Sequence, residues 1–359
     1  MSIEIVEVPV PERWDDESEG ARLLRDYVDV RNGVYADLFG DDSHAFSHRQ
    51  AWAQWRSQRG VEESYRPLAL LDGVPAGRGY AGRSLLEAQT IAEVDVLVLP
   101  GARGRGVGTA LAEAMLERMR AQGVTTFQAW VAHFPAGGPV LTAPTGFGEI
   151  AADTPAVRML QRYGFALEQV ERMSELRLAD AAPALAAHRH QAEARALPGY
   201  RLEAWEGRSA PERLDGLAAL HARMSTDAPA AGLDHEAEQW DAARLAKYED
   251  AQVEGGRTLL RAIAVEEATD APVAFTTLVS AGTSGSWYQH DTLVHGDHRG
   301  HRLGMLVKAA NLQALRALDP AAVVRTWNAA ENVHMLAVNE ALGFRRLVDE
   351  GAWQRKERP

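Results

Sequence analysis

The sequence predicts an α/β protein built from two similar units in tandem. The chain has 359 residues, which is more than one typical domain needs. It also carries the same strand–loop–helix pattern twice, over 94–111 and again over 290–306. In both copies an Asp lies eight residues before the first Arg of the loop, and a Val lies five before it. Two copies in one register favour a duplication of about 180 residues.

The first unit is predicted over residues 1–180. Asp72-Gly73 is a strong turn signal between two β-type runs, and Leu111, Met115 and Met119 have the spacing of one helix face. The predicted elements are a strand at 1–9, helices within 18–60, strands at 67–71, 76–81 and 91–99, a helix at 107–122, a strand at 125–132, a Pro/Gly-rich loop at 133–149, a helix at 154–162 and a strand near 166–178.

The second unit, 198–359, follows an alanine-rich stretch at 181–197 that we interpret as a helical connector. Its predicted elements are a strand at 200–205, helices at 211–222 and 235–250, strands at 258–266, 272–281 and 286–294, a helix at 303–318, a strand at 322–327, a helix at 331–341 and a last strand. Corresponding glycines are 196 residues apart at the loop (Gly108, Gly304) but 179 apart downstream (Gly164, Gly343). The difference matches the Pro/Gly-rich loop, which therefore reads as an insertion in the first copy.

Composition excludes several classes of protein. The net charge of −12 argues against a nucleic-acid binder, and no run reaches the ~18 apolar residues of a membrane helix. The absence of cysteine removes disulfides, thiolate metal sites and a Cys nucleophile. With no basic and apolar leader at the N-terminus, a cytoplasmic location is the default expectation.

The repeated loop is predicted to bind a phosphate or diphosphate, because a glycine-rich turn that enters a helix presents several unpaired N–H groups to one point. The loops read Arg103-Gly104-Arg105-Gly106-Val107-Gly108 and Arg299-Gly300-His301-Arg302-Leu303-Gly304. A P-loop would need a Lys that neither has. A dinucleotide fold would need a third Gly or Ala where Thr109 stands, and a carboxylate about 20 residues on. His295, His298 and His301 are read as part of an anion-facing loop, so no metal site is predicted.

These residues resemble motif A of the GCN5-related N-acetyltransferase (GNAT) superfamily, Arg/Gln-x-x-Gly-x-Gly/Ala. The first loop matches it throughout, whereas the second has Arg302 in place of the middle Gly. Both units also resemble motif B, which ends in Gly-Phe, at Gly164-Phe165 and Gly343-Phe344. The Tyr that this motif places four residues before the Gly is Leu160 in one unit and Asn339 in the other. The resemblance covers nearly the whole chain and implies two tandem acyl-CoA N-acyltransferase domains, each a twisted mixed sheet flanked by helices.

The resemblance implies transfer of an acetyl group from acetyl-CoA to a primary amine of a small molecule by direct attack. It assigns the backbone of Leu97–Leu99 and Leu293–His295 to the acyl carbonyl. A carboxylate is needed to take the proton of the ammonium, and the candidates for catalysis are Asp291, Asn339, Asp95 and Glu93. The candidates for binding the cofactor are Val98, Arg103, Gly104, Arg105, Gly106, Val107, Gly108, Thr109, Val294, Arg299, Gly300, His301, Arg302, Leu303, Gly304, Met305, Asn328 and Asn332.

The sequence favours the second unit as the active half. The first has the better loop but lacks the Asn and Tyr of motif B, whereas the second has Asn328, Asn332 and Asn339. Two alternatives stay open: a coenzyme A-binding scaffold without catalysis, and transfer of another acyl group or to a hydroxyl. The expected oligomeric state is a monomer or a homodimer.

Overall fold

The computed structural model describes residues 2–135, 137–196, 198–281 and 285–357, without the side chains of 182–184. The first unit contains β1 (Ile3–Glu7), α1 (Glu19–Phe39), α2 (His48–Ser57), β2 (Glu62–Tyr65), β3 (Pro67–Leu71), β4 (Val74–Ser84), β5 (Ile91–Val98), α3 (Val107–Ala121), β6 (Thr126–His133), β7 (Val140–Thr142), β8 (Glu149–Ala151), α4 (Pro155–Arg162) and β9 (Ala166–Arg177).

The second unit repeats this order after the connecting helix. Its elements are α5 (Leu178–Ala196), β10 (Tyr200–Glu206), α6 (Pro211–Asp227), α7 (Ala242–Glu254), β11 (Leu259–Glu266), β12 (Pro272–Ser280), β13 (Ser286–Val294), α8 (Leu303–Leu318), β14 (Val323–Ala329), α9 (Val333–Leu342) and β15 (Arg345–Lys356). A short 3₁₀ turn precedes each glycine loop, at Pro100–Ala102 and at Gly296–His298. Among the described residues, no helix has the length and apolar character needed to cross a bilayer.

The strands of both units join into one mixed sheet. In the described residues the order is β1-β3-β4-β5-β6-β15-β9-β14-β13-β12-β11-β10, with β2 also paired to β4. The final strand of each unit has crossed to the other: β15 lies beside β6, and β9 lies beside β14. The crossed strands also pair with each other. The α/β class is therefore confirmed, but the two sheets expected from the sequence are continuous.

Helices on one face of the sheet complete the cores that hold each glycine loop in place. In α3, the fully buried Leu111 packs with Val107 against β1, β3 and β5. In α8, Leu306 and Val307 pack in the corresponding way against β11 and β12. The helix predicted at 303–318 spans those residues, because its apolar positions keep a strict helical spacing.

Three local predictions were wrong. The loop at 133–149 contains β7 and extends to β8, which form a hairpin. The helix predicted at 235–250 begins only at Ala242, where Asp241 accepts a hydrogen bond from the Arg244 amide and caps it. The preceding helix, predicted at 211–222, extends to Asp227. The segment 228–241 between the two helices has no regular structure. These errors lie in two segments, 133–151 and 223–241, that both contact the other unit.

Candidate functional site

The two glycine loops enter their helices with the same backbone conformation. Gly106 caps α3 and Arg302 caps α8, each in the left-handed region, with φ of 86° and 58°. A side chain is disfavoured in this region by about 1 kcal/mol, so Arg302 retains the conformation at a cost that Gly106 avoids. The departure of the second loop from the motif therefore changes its side chain but not its path.

Both loops leave a row of backbone amides without partners. The N–H groups of 104–109 and of 300–305 donate no hydrogen bond to a described residue. The first Arg of each loop is anchored to a helix of its own unit, Arg103 by Asp37 at 2.8 Å and Arg299 by Asp227 at 2.9 Å. Each loop thus presents free donors at a helix N-terminus, an arrangement suited to a diphosphate.

Beside each loop, two parallel strands separate and leave a cleft. β5 pairs with β6 only over Ile91–Glu93, and β13 pairs with β14 only over Ser286–Tyr288. The amides of Leu99 and His295 bond to the neighbouring antiparallel strand, so they cannot serve the acyl carbonyl as the sequence suggested. Because antiparallel ladders alternate, the amides of Val98 and Val294 point the other way, into the cleft.

The second unit has a β-bulge at its cleft. Thr276 lies opposite Thr292, but Leu278 lies opposite Gln289, so His290 and Asp291 share the single partner position of Thr277. The equivalent strands β4 and β5 keep a regular register from Gly77–Val98 to Gly82–Glu93. A bulge turns side chains away from the regular alternation, and here it directs the second unit's strand toward the cavity described next.

A cavity of about 1490 Å³ runs through the second unit's cleft and out to the first unit. Its lining includes residues of the second loop, such as Arg299 and Gly304, together with Arg31, Tyr35 and Phe46 of the first unit. Asp291 and Val294 also line it. Residues 103–109 are not among the residues that line this cavity. The cavity connects the free amides of one loop, the diverging strands and a chamber between the two units.

Gly108 of the first loop has a neighbour in α4, whereas Gly304 of the second loop has none in α9 within 4 Å. A Cβ placed on Gly108 would lie 3.7 Å from the Met159 side chain of α4, whereas one on Gly304 would meet only Val294 within 4 Å. The β7–β8 insertion adds Ala143 and Ile150 to the core that contains Val96 of β5. The Met159 side chain of α4 thus lies beside the first loop.

Asp291 occupies an unusual electrostatic environment. Its side chain is 43% accessible and lines the cavity. Burial in this recess and the nearby charge of Glu238 raise the pKa of Asp291 to about 6. Its closest basic neighbour is His221, whose Nδ1 lies 3.5 Å from Oδ2. Burial lowers the pKa of His221 to about 3, so the imidazole is neutral and does not offset this rise.

The equivalent carboxylates of the first unit are differently placed. Asp95 forms an ion pair of 2.6 Å with Arg78, and Arg78 also donates to the Tyr27 hydroxyl. The second unit has Phe275 at the position of Arg78, since both lie opposite the Leu six residues before the loop Arg. Glu93 does have a raised pKa, of about 7, through burial and the charge of Asp95. Neither Glu93 nor Asp95 lines the cavity.

The three asparagines of the second unit have distinct surroundings. Asn332 caps α9 by accepting from the Met335 amide, and it lines the cavity. Asn328 also lines the cavity, and it accepts a 2.7 Å hydrogen bond from Asn339. Asn339 is 1% exposed and is not among the cavity-lining residues. The sequence grouped it with the catalytic candidates, whereas the structure places it behind Asn328.

Several residues in or near the cavity were not found by sequence reasoning. Lys308 lies in α8, whose apolar residues were interpreted as core, so the sequence did not single it out. Burial lowers the pKa of Lys308 to about 7. His221 and Tyr248, on α6 and α7, flank the bulged strand, and the Tyr248 hydroxyl lies 3.3 Å from His290 Nδ1. The only sequence signal for Lys308 was a charge on an apolar helix face. The others are joined by packing between distant segments, which spacing does not reveal.

Removing the charge of Asp291 is expected to stabilise the fold. A carboxyl with a raised folded pKa favours the protonated form, so its penalty is absent below pH 4 and complete above pH 6. Allowing for the 43% accessibility, we expect about 1 kcal/mol, or roughly 2–4 °C in Tm. Asp291→Asn should therefore raise Tm at pH 8 and leave it unchanged at pH 4, as followed by circular dichroism. An equal gain at both values would contradict the charge penalty.

Comparison with known proteins agrees with this geometry. A family model described as the acetyltransferase (GNAT) family matches residues 30–135, which include the first loop. A solved tandem GNAT protein from the clavulanic acid biosynthesis pathway, without AcCoA, matches 100% of this chain and 99% of its own, at 24% identity and a TM-score of 0.73. Residues 30–135 match the GNAT family, and the fold of the whole chain is that of a tandem GNAT protein. Its two units are tandem GNAT folds, as the sequence predicted.

Other GNAT-like structures share the fold at lower identity. A GCN5-related N-acetyltransferase from Sphaerobacter thermophilus has a TM-score of 0.60 and 15% identity, with 99% of this chain and 96% of its own covered. A putative acetyltransferase from Pyrococcus horikoshii has a TM-score of 0.54 and 13% identity, with 99% and 90% covered. No curated protein matches this sequence. The family that residues 30–135 match is described as a family of acetyltransferases.

Proposed function

We propose that this tandem GNAT protein transfers the acetyl group of acetyl-CoA to a primary amine of a small molecule, and that the second unit is the active half. The observation that carries the proposal is the cavity that joins the 299–305 loop to Asp291. It places an anion-binding loop and a carboxylate of raised pKa in one continuous space. In the first unit Asp95 is paired with Arg78, and neither Asp95 nor Glu93 lines this cavity.

The residues of the second loop fit coenzyme A. Free amides at 300–305 would bind its diphosphate, and a Cβ on Gly304 would meet only Val294 within 4 Å, so the backbone can be approached closely. The Val294 amide points into the cleft and is our candidate donor to the acyl oxygen, where negative charge develops. When bound, acetyl-CoA supplies an activated thioester carbonyl. The side chains of Asn328 and Asn332 line the same cavity and are candidates for the pantetheine amides.

Asp291 is the proposed general base. An alkylammonium with a pKa near 10 must lose a proton before it can attack a thioester. Above pH 6 the Asp291 carboxylate is ionised and can accept that proton directly or through one water. His221 lies 3.5 Å away and stays neutral, so it can orient the carboxylate without discharging it.

The decisive experiment is turnover of the full chain with a panel of acyl-CoAs and small amines. Thiol release reports the rate, and mass spectrometry identifies the product. We expect an N-acetylated product and one acetyl-CoA bound per chain in calorimetry. Hydroxyl analogues of the same amines test oxygen acceptors, and propionyl- and succinyl-CoA test other acyl groups. Coenzyme A binding without turnover of any pair would favour the scaffold alternative, and neither binding nor turnover would reject the proposal.

A further inference from the structure

Two arginines line the chamber between the units, and neither has an acidic partner among the described residues. Arg31 lies on α1 of the first unit, and Arg257 lies just before β11 of the second. Both line the cavity that contains Asp291. Among the described residues, no carboxylate lies within 4 Å of either guanidinium group. Two other interface arginines, Arg78 and Arg325, are paired with Asp95 and Glu175.

Phe46 brings the two guanidinium groups together. Its ring centroid lies 5.3 Å from the Arg31 Cζ and 4.8 Å from the Arg257 Cζ, so the two carbons are at most 10.1 Å apart. Asn32 fixes this ring, because its side chain donates to the Phe46 carbonyl and accepts from the Phe46 amide. The arrangement is a built feature of the interface rather than a pair of mobile surface chains.

Much of the hydrogen-bonding capacity of the pair is unused. Arg31 donates through Nη1 to the His44 carbonyl and the Asn32 side chain, and Arg257 donates through Nη1 to Gln252. The Arg257 Nε is buried and has no partner in the described residues. Burial lowers the pKa of both arginines, and the charge of Arg31 lowers that of Arg257 further. A bound anion would supply the missing acceptors and relieve the repulsion.

We propose that this arginine pair, Arg31 and Arg257, binds a carboxylate of the acceptor. This inference rests on the proposed function and names its substrate class: a small amine that also carries a carboxylate. The amine end would lie toward Asp291. The charge of Arg257 already acts next to Asp291, because burial and this charge together lower the pKa of His290 to about 4. Specificity would then depend on a residue from each unit.

The other wall of the chamber favours a carboxylate over a phosphate. Glu171 and Glu350 line the same cavity, and burial raises the pKa of both. Where they are ionised, these acids would repel a dianion more strongly than a single negative charge, and they would favour the positive end of a zwitterion. The chamber therefore suits a molecule with one carboxylate and one amine.

The test compares amino acids with their carboxamides as acceptors. The probes are glycine, β-alanine, 4-aminobutyrate, 6-aminohexanoate and lysine, each with its amide, together with phosphoethanolamine. Wild type should prefer at least one acid over its amide by tenfold or more in kcat/KM. Arg31→Gln and Arg257→Gln should raise KM for that acid by about 10–100-fold, with kcat, the KM of acetyl-CoA and the KM of the amide little changed.

Two controls separate binding from folding. Arg56→Gln removes an arginine that also stacks on an aromatic ring, 4.5 Å from the Trp52 centroid, but lies outside the cavity, and it should change nothing. Arg257→Lys should restore part of the lost affinity if charge is responsible. Acids and amides used equally well, equal KM increases for both in the Gln variants, or a preference for phosphoethanolamine would each overturn the inference while leaving acetyl transfer intact.

Failure of the proposed function gives a different pattern. If no amine is acetylated, the same acids and amides are titrated into the protein by calorimetry. Tighter binding of an acid that is lost in Arg31→Gln and Arg257→Gln would support the carboxylate site without catalysis. Absent or equal binding of acid and amide would reject it.

Discussion

Asp291→Asn should lower kcat for acetyl transfer by about 10²–10⁴-fold, the range expected when a positioned general base is lost. The carboxamide keeps the size of the side chain but cannot take a proton from the ammonium. The KM of acetyl-CoA should stay within a few-fold of wild type, because Asp291 lies beyond the loop that would hold the diphosphate. Initial rates of thiol release with a saturating amine measure both parameters.

Asp95→Asn is the matched control for that substitution. Asp95 has the same position relative to its loop, but it forms an ion pair with Arg78 and does not line the cavity. It should change kcat by less than threefold once the variant is shown to fold. Equal losses in the two variants would contradict the assignment of the second unit as the active half.

The pH dependence of kcat/KM is an independent test of the role of Asp291. Because the pKa of Asp291 is raised to about 6, its proton-accepting form disappears below that value. kcat/KM should fall about tenfold per unit below pH 6 in the wild type. This acid limb should be missing from the residual activity of Asp291→Asn. An acid limb near pH 4 in the wild type would indicate a carboxylate of ordinary pKa instead.

Gly304→Ala should weaken coenzyme A binding by tenfold or more without harming the fold. A Cβ at this position meets only Val294, at an ordinary contact distance of 3.5 Å, and alanine is the better helix former. The methyl group would nevertheless project where the diphosphate must approach the α8 backbone. Calorimetry should show a higher Kd, and thermal unfolding should show an equal or higher Tm.

Gly108→Ala in the first unit provides the comparison. Its Cβ also fits, 3.5 Å from Val98 and 3.7 Å from Met159, so the variant should fold. The number of coenzyme A molecules bound per chain and their Kd should both remain at the wild-type values. Loss of binding in Gly108→Ala rather than in Gly304→Ala would place the cofactor in the first unit and reverse the proposed roles of the two halves.

Local features of the fold were predictable because short-range physics fixes them. The β13 strand and the α8 helix have the predicted bounds, since apolar spacing and a glycine-rich turn define both. The path of β15 was not predictable. Its alternating pattern suits any sheet partner, and nothing in its sequence says that it pairs with β6 rather than with β14.

The candidate site divides in the same way. Loop residues such as Arg299 and Gly304 follow from a motif, and Asp291 follows from its offset to that motif. Arg31 and Arg257 are 226 positions apart, and they meet only because the first unit's α1 lies against the second unit. A sequence shows the part of a site that one segment builds, whereas the acceptor chamber is built by several.

The crossed strands make the two units depend on each other structurally. A polypeptide that ended after β9 would lack β15, so one edge of β6 would be unpaired. A polypeptide that began at β10 would lack β9, so one edge of β14 would be unpaired. Each unit therefore needs a strand from the other unit to complete its part of the sheet. Under the proposed function, the first unit needs no chemistry of its own. It contributes Arg31 to the chamber and so helps to select the acceptor that the second unit acetylates.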